Sequence, residues 1–328
     1  MTRSVTCVLS AIVALTGLAM AACGGDSADD DVLLVVTTVA PLRNIIEEVG
    51  GDRIDVVGLV PEGVNSHTYD PPPSAVGEIE KADLIVINGL NLELPTLELA
   101  EANRADDTPI LQLGNEAVSP EDYVYDFSFP RAGGNPNPHL WTAPHLAVRY
   151  AEIVRDALID LDPDGRAYYE TNTERLSDRL WELDEAIAEA TKTIPEAHRR
   201  LITYHDSFPY FAPRYGLEVI GAIQPSDFSQ PSPREVAELI EQVKGAGVPA
   251  IFGSEVFPSE VLQTIAKEAG AIQVSTLSDD DLPGEPGDAG NTLVGMMVEN
   301  VRTMVTALGG DASALDGFDT GSTWQASQ

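Results

Sequence analysis

Eight short apolar runs without alternation set the tightest limit on what this chain can become. VLLVVTT (32–38), IDVVGLV (54–60), LIVING (84–89) and PILQLG (109–114) lie in the first half. RLITYH (200–205), LEVIGAI (217–223), AIFGSE (250–255) and AIQVSTL (271–277) lie in the second. A strand with one wet face alternates apolar and polar residues, whereas a strand covered on both faces is apolar throughout. Helical patterns separate the runs, as in PLRNIIEEVGG, SAVGEIEKA, SPREVAELIEQVKGAG, PSEVLQTIAKEAG and TLVGMMVENVRTMVTAL. Together they predict an α/β fold of mainly parallel sheets flanked by helices. The rhythm stops from 143 to about 194, where two helical patterns follow one another and the second is unusually long. The expected organisation is an N-terminal α/β lobe over 32–160, one long linking backbone helix over 161–195 and a C-terminal α/β lobe over 196–309. The last stretch, 310–328, is rich in Gly, Ser and Asp and reads as a loose tail.

The N-terminus predicts export. Arg3 precedes an apolar stretch from Val8 to Leu18, shorter than the roughly 20 residues needed to span a bilayer. Residues 1–22 therefore read as a signal peptide. MAAC, ending at Cys23, resembles a bacterial lipobox, with Met20 where leucine is more usual. Removing residues 1–22 leaves Cys23 as the single thiol, at the new N-terminus, with no partner for an internal disulfide. The expectation is a lipid anchor at Cys23, holding the protein extracytoplasmically on the membrane of a bacterial cell. Residues 23–31 would be a flexible, acidic tether. With 19 basic and 53 acidic residues the formal charge is −34, which repels phosphate backbones and argues against a nucleic-acid partner.

Only five histidines occur in the chain, and three stand where chemistry is expected. His67 lies in LVPEGVNSHTYDPPPS, past a strand and before a helix. His139 lies in the proline-punctuated NPNPHLWTAP, and His205 ends the first strand pattern of the second lobe. An acidic run, Asp279 to Asp281, follows the strand pattern AIQVSTL. Ligand crevices of open parallel sheets lie beyond the carboxyl ends of their strands, and imidazole with carboxylate suits a divalent transition metal. Glu255 ends AIFGSE near the same crevice and reads as a supporting acid or an alternative ligand. Asp206 would orient a metal-bound histidine or cap a following helix. Phe208, Tyr210 and Phe211 would pack behind His205. His145 and His198 read as capping or surface residues.

These segments resemble the metal-binding lipoproteins that feed zinc or manganese ABC importers, the cluster A-I solute-binding proteins, over about Val32 to Gly309. LVPEGVNSHTYDPPPS is similar to the family's G-x-x-x-H-x-Y-[ED]-P segment, and ADLIVINGLNLE to its A-D-L-[IV]-x-x-N-G-x-x-x-E segment. NPHLWTAP is similar to D-P-H-[VI]-W-x-[DS]-P, with Asn137 in place of the usual acid and Ala143 in place of a polar residue. TYHDSFPYFAPRYGLEVIG closely resembles H-D-A-F-x-Y-F-x-x-x-[YF]-G-[LF]-x-V-x-G. STLSDDDLPG resembles the final [ST]-D segment, best matched by Asp279, with Asp280 and Asp281 next in line. The resemblance implies metal ligands at His67, His139, His205 and Asp279, with Asp280 as the alternative acid. It also implies two lobes on a rigid helix, a monomer, and delivery of the ion to an ABC permease. Three nitrogens and one carboxylate favour Zn2+ over Mn2+, as does histidine at 205, where manganese-preferring members often carry glutamate. The histidine-rich loop common in zinc members has no counterpart in residues 115–138. Two competing readings remain. A secreted zinc metallohydrolase would use Glu255 or Asp280 as general base but needs an open coordination position. A surface adhesin would hold its metal structurally.

Overall fold

The computed structural model describes residues 32–254 and 260–324 of the 328-residue chain. Every apolar run forms a strand. β1 (Leu33–Thr37), β2 (Ile54–Gly58), β3 (Leu84–Ile87) and β4 (Ile110–Gln112) build one parallel sheet in the order β2-β1-β3-β4. β5 (Arg200–Thr203), β6 (Glu218–Ala222), β7 (Ala250–Ser254) and β8 (Ile272–Leu277) build a second in the order β6-β5-β7-β8. The second sheet thus repeats the topology of the first. Val35, Val36, Leu84, Ile85, Val86, Ile251 and Phe252 are fully buried, as unbroken apolar runs covered on both faces require.

Helices cover the sheets: α1 (Ala40–Gly50), α2 (Val76–Ile79), α3 (Leu94–Asn103), α4 (Leu113–Ala117), α5 (Pro144–Leu161), α6 (Arg166–Lys192), α7 (Pro233–Ala246), α8 (Glu260–Ala269) and α9 (Leu293–Ala307). Proline stands in the first turn of α1, α3, α5 and α7, where the missing N–H costs no helical bond. Ser232 and Glu235 close a capping box on α7. The sequence pattern did not announce α3. Its leucines are spread around the helix, and it buries only Thr96 and Ala100.

The long helix α6 has 27 residues, about 40 Å of rise. Tyr169, Thr173, Leu176, Leu180, Leu183 and Ile187 recur at three- and four-residue intervals and form its buried stripe. Polar clamps fix it to both halves. Asp162, just before α6, accepts from Arg53 Nε and Nη2 at 2.7 Å each and from the Tyr169 hydroxyl at 2.8 Å. Asp184 within α6 takes a bidentate pair from Arg214, at 2.5 and 2.7 Å, and a bond from the Tyr215 hydroxyl.

The expectation of a loose tail fails through residue 324. Leu315 is completely buried, and Thr292 Oγ1 donates to the Thr320 carbonyl at 2.6 Å. The buried Glu48 carboxylate supplies the physical reason, because it needs donors. Thr323 provides two, from its N–H at 2.8 Å and from its hydroxyl at 2.5 Å.

Candidate metal centre

Three separate turns carry the imidazoles to one point. His67 sits on a single 3-10 turn, Ser66–Thr68, which Asn65 starts by accepting from the His67 N–H at 2.9 Å. His139 follows the prolines of NPNP. Asn88 holds that loop by donating to the Pro138 carbonyl at 3.0 Å, and its own oxygen accepts from the Tyr150 hydroxyl at 2.6 Å. Buried Glu93 keeps Asn88 in place by accepting from its N–H at 2.9 Å. His205 lies two residues beyond β5 rather than at its end.

The Nε2 atoms of His67 and His139 are 3.2 Å apart, those of His67 and His205 3.2 Å, and those of His139 and His205 2.9 Å. Asp280 Oδ1 is 3.9 Å from His139 Nε2. One donor atom from each of His67, His139, His205 and Asp280 lies within 4.8 Å of all the others, so the four could hold a metal ion. Bonds of about 2.0–2.1 Å to a tetrahedral ion hold nitrogens roughly 3.3 Å apart, near the spacing observed.

The acid that joins the imidazoles is Asp280, which corrects the expectation of Asp279. Asp279 is committed elsewhere. Its Oδ2 accepts from Ser207 Oγ at 2.7 Å, and its Oδ1 accepts from Ser254 Oγ at 2.9 Å and from the Asp280 N–H at 3.2 Å. Its carbonyl accepts from Trp141 Nε1 at 2.7 Å. Asp279 thereby pins the end of β8 and turns the next residue towards the histidines. Asp280 Oδ2 accepts from Ser66 Oγ at 2.6 Å, and Asp281 Oδ2 accepts from the Gly63 N–H at 2.5 Å. Both acids therefore grip the loop that bears His67.

Two tautomers are fixed by amide oxygens. His139 Nδ1 is 2.8 Å from Asn137 Oδ1, which also accepts from the His139 backbone N–H at 3.1 Å and so must be the oxygen. Asn137 Nδ2 donates to the Asp206 carbonyl at 2.6 Å. His205 Nδ1 is 2.8 Å from Gln224 Oε1. With both Nδ1 atoms protonated, the two Nε2 atoms face one another as lone pairs. Burial, with the neighbouring histidines, holds His139 well below the usual imidazole range; burial and His205 do the same for His67. Burial pushes the Asp280 carboxyl up. His139, His205 and Asp280 are buried, and His67 is half-buried.

The backbone of Asp206 lies against the His139 imidazole, whereas the carboxylate of Asp206 turns to the segment before His139. Its Oδ2 accepts from the Ser128 N–H at 3.0 Å, because the segment before His139 crosses to the second sheet at that point. Ser128 Oγ also donates to the Gln224 carbonyl at 2.8 Å. Phe208 and Phe211 are buried behind His205, while the half-buried Tyr210 donates from its hydroxyl to the Asn137 carbonyl at 3.1 Å. Glu255 lies outside the described residues, as does Cys23. His198 bonds the Leu308 carbonyl at 3.0 Å and stands apart from the cluster, as does His145. Asn137 was marked in the sequence only as a departure from an acidic position. Gln224 and Ser66 carried no signal there, since their roles depend on loops meeting across the site.

Asp206 has a second carboxyl for a neighbour. Burial, the Asp206 charge and a hydrogen bond to it push Asp126 up to about 9, so near neutrality Asp126 keeps its proton. A carboxyl raised above its unfolded value gives stability that is whole below about pH 4 and is lost as pH rises towards 9. Asp126→Asn removes this titration. The variant should melt higher than the parent at pH 8, on the order of 3 °C, with little difference at pH 4. Thermal melts of the metal-free proteins at the two pH values check this, and a variant less stable at pH 8 refutes it.

Two parallel-sheet halves on one long helix, with imidazole and carboxylate donors converging between them, define a metal-binding solute receptor of the two-lobed kind. Residues 35–307 match the family described as the periplasmic component A of zinc-uptake complexes (ZnuA), and the chain belongs to that family. The family is a transport component and not an enzyme. The chain is 29% identical to the manganese-binding lipoprotein MntA of Halalkalibacterium halodurans, over 91% of this chain and 97% of that one. It is 27% identical to the iron-binding protein YfeA of Yersinia pestis, over 81% and 84%. Its fold matches the periplasmic zinc-binding protein TroA of Treponema pallidum with a TM-score of 0.76 at 26% identity, covering 84% of this chain and 99% of that one. Among the described residues no helix is long and apolar enough to cross a membrane.

Proposed function

We propose that this chain captures a divalent transition metal through His67, His139, His205 and Asp280 and hands it to a membrane ABC permease. Zinc is the preferred ion, and Cys23 carries the lipid that anchors the mature protein after residues 1–22 are removed. One observation supports the capture role above the others: the Nε2 atoms of two buried imidazoles stand 2.9 Å apart, and each imidazole turns its Nδ1 to an amide oxygen at 2.8 Å, the arrangement that leaves Nε2 as a lone pair. Without a cation between them this contact is repulsive; a shared ion converts it into two bonds. Three nitrogens and one carboxylate at tetrahedral spacing favour zinc, whereas manganese sits more comfortably among oxygens in sixfold coordination. The similar proteins carry names for manganese, iron and zinc, so the preference rests on the donor set alone.

The test is elemental analysis of the protein purified from its own cells, followed by competitive titration with zinc and manganese. One equivalent of zinc in the native protein, retained against excess manganese, is expected. Manganese or iron in the native protein would overturn the zinc assignment. Absence of metal, with no uptake in titration, would overturn capture itself.

A further inference from the structure

His139 and His205 owe their orientation to amide oxygens on Nδ1, but His67 does not. Among the described residues, the hydrogen bonds of His67 run only through its backbone N–H and its Nε2. Aromatic rings cover its faces instead. Phe228 stacks on the His67 imidazole with centroids 4.4 Å apart and planes 16° from parallel. Phe129 flanks the same imidazole at 5.5 Å, tilted by 45°. His67 comes from the first sheet's side and Phe228 from the loop between β6 and α7, so the stack crosses between the halves.

The backbone at Phe228 is informative too. Its φ is +58°, the left-handed region that a bulky aromatic residue enters only at a cost in free energy. A tight turn holds it there, with the Phe228 N–H donating to the Pro225 carbonyl at 2.9 Å. Strain of this kind persists where the surroundings impose it, and it gathers at functional sites. Beyond the ring opens a cavity of about 510 Å³, lined among others by His67, Leu92, Phe129, Pro138 and Phe228. His67 and Phe228 thus share a wall of that cavity, and the ring covers one face of the imidazole that borders it.

We infer that Phe228 is a positioning residue. By stacking, it gives His67 the orientation that the other two imidazoles receive from hydrogen bonds, and it slows escape of the ion on the cavity side. The inference rests on the metal-capture reading above. Its signature is an opposition between stability and retention: the left-handed backbone suits glycine, so removing the ring relieves strain while loosening His67.

The test compares Phe228→Gly, Phe228→Leu and Phe228→Tyr with the parent, using Co2+ and Zn2+ as probes. Dissociation into excess chelator is timed, the visible Co2+ band is recorded and the metal-free proteins are melted. Phe228→Gly should melt no lower than the parent yet release metal at least tenfold faster, with a weakened or shifted Co2+ band. Phe228→Leu should also release faster, and Phe228→Tyr should stay within threefold of the parent. Release from Phe228→Gly within twofold of the parent, or from Phe228→Leu as slow as the parent, overturns the inference alone. A parent protein that takes up neither ion overturns the capture reading and this inference with it.

Discussion

His205→Ala is expected to weaken zinc binding by at least about 100-fold while leaving the metal-free fold intact. A closed four-donor zinc site is worth on the order of 10–16 kcal/mol, so one donor carries roughly 3 kcal/mol, which is a hundredfold or more. His205 is also firmly presented. It follows β5 closely, is almost fully buried, and is held by Gln224 through Nδ1. Its replacement removes one of the two lone pairs that oppose each other at 2.9 Å, so the metal-free protein loses a repulsive contact along with some packing. Competition titration against a chelator of known affinity reads the first effect, and a thermal melt the second. Unchanged zinc affinity in a folded variant would show that the ion, if any, binds elsewhere.

The second large effect separates two adjacent aspartates. Asp280→Asn removes the one carboxylate that, among the described residues, stands with the imidazoles, and zinc affinity should fall by about 100-fold or more. The same change should raise the melting temperature of the metal-free protein at pH 7, because burial disfavours the charged form of Asp280 there. Asp279→Asn should behave in the opposite way. Its carboxylate accepts from Ser207 and Ser254, so an amide turned towards either hydroxyl loosens the end of β8. That costs about 1–3 kcal/mol of stability. The effect on zinc is then indirect, within the 10–100-fold range of residues that orient a ligand. A larger loss of zinc affinity from Asp279→Asn than from Asp280→Asn would reverse the assignment of the fourth donor.

The contrast between these neighbours marks how far the sequence could be read. The strands were legible because a strand covered on both faces leaves an uninterrupted apolar run, as in Leu84–Ile87. The histidines were legible because each sits in a distinctive segment: SHTYDP, NPHLW and YHDSF. Three consecutive aspartates offer no such handle. Which of them faces the imidazoles is decided by Ser207, in the loop after β5, and Ser254, at the end of β7, which both claim Asp279. The tail was misjudged for a related reason. Its composition is that of a linker, and only the buried Glu48 on α1, far away in sequence, gives Thr323 something to bind. Phe228 carried no local signal, since its partner His67 belongs to the other half of the molecule.

The helix α6 contains neither glycine nor proline along its 27 residues, and arginine–carboxylate clamps secure it to both sides. A strut of this kind has no built-in joint. Wide jaw-like opening would have to tear the Arg214–Asp184 pair or bend an unbroken helix. On the metal-capture reading, loading and surrender of the cargo would then fall to short excursions of the loops at the rim, above all the one that carries His67 between Asp280 and Phe228.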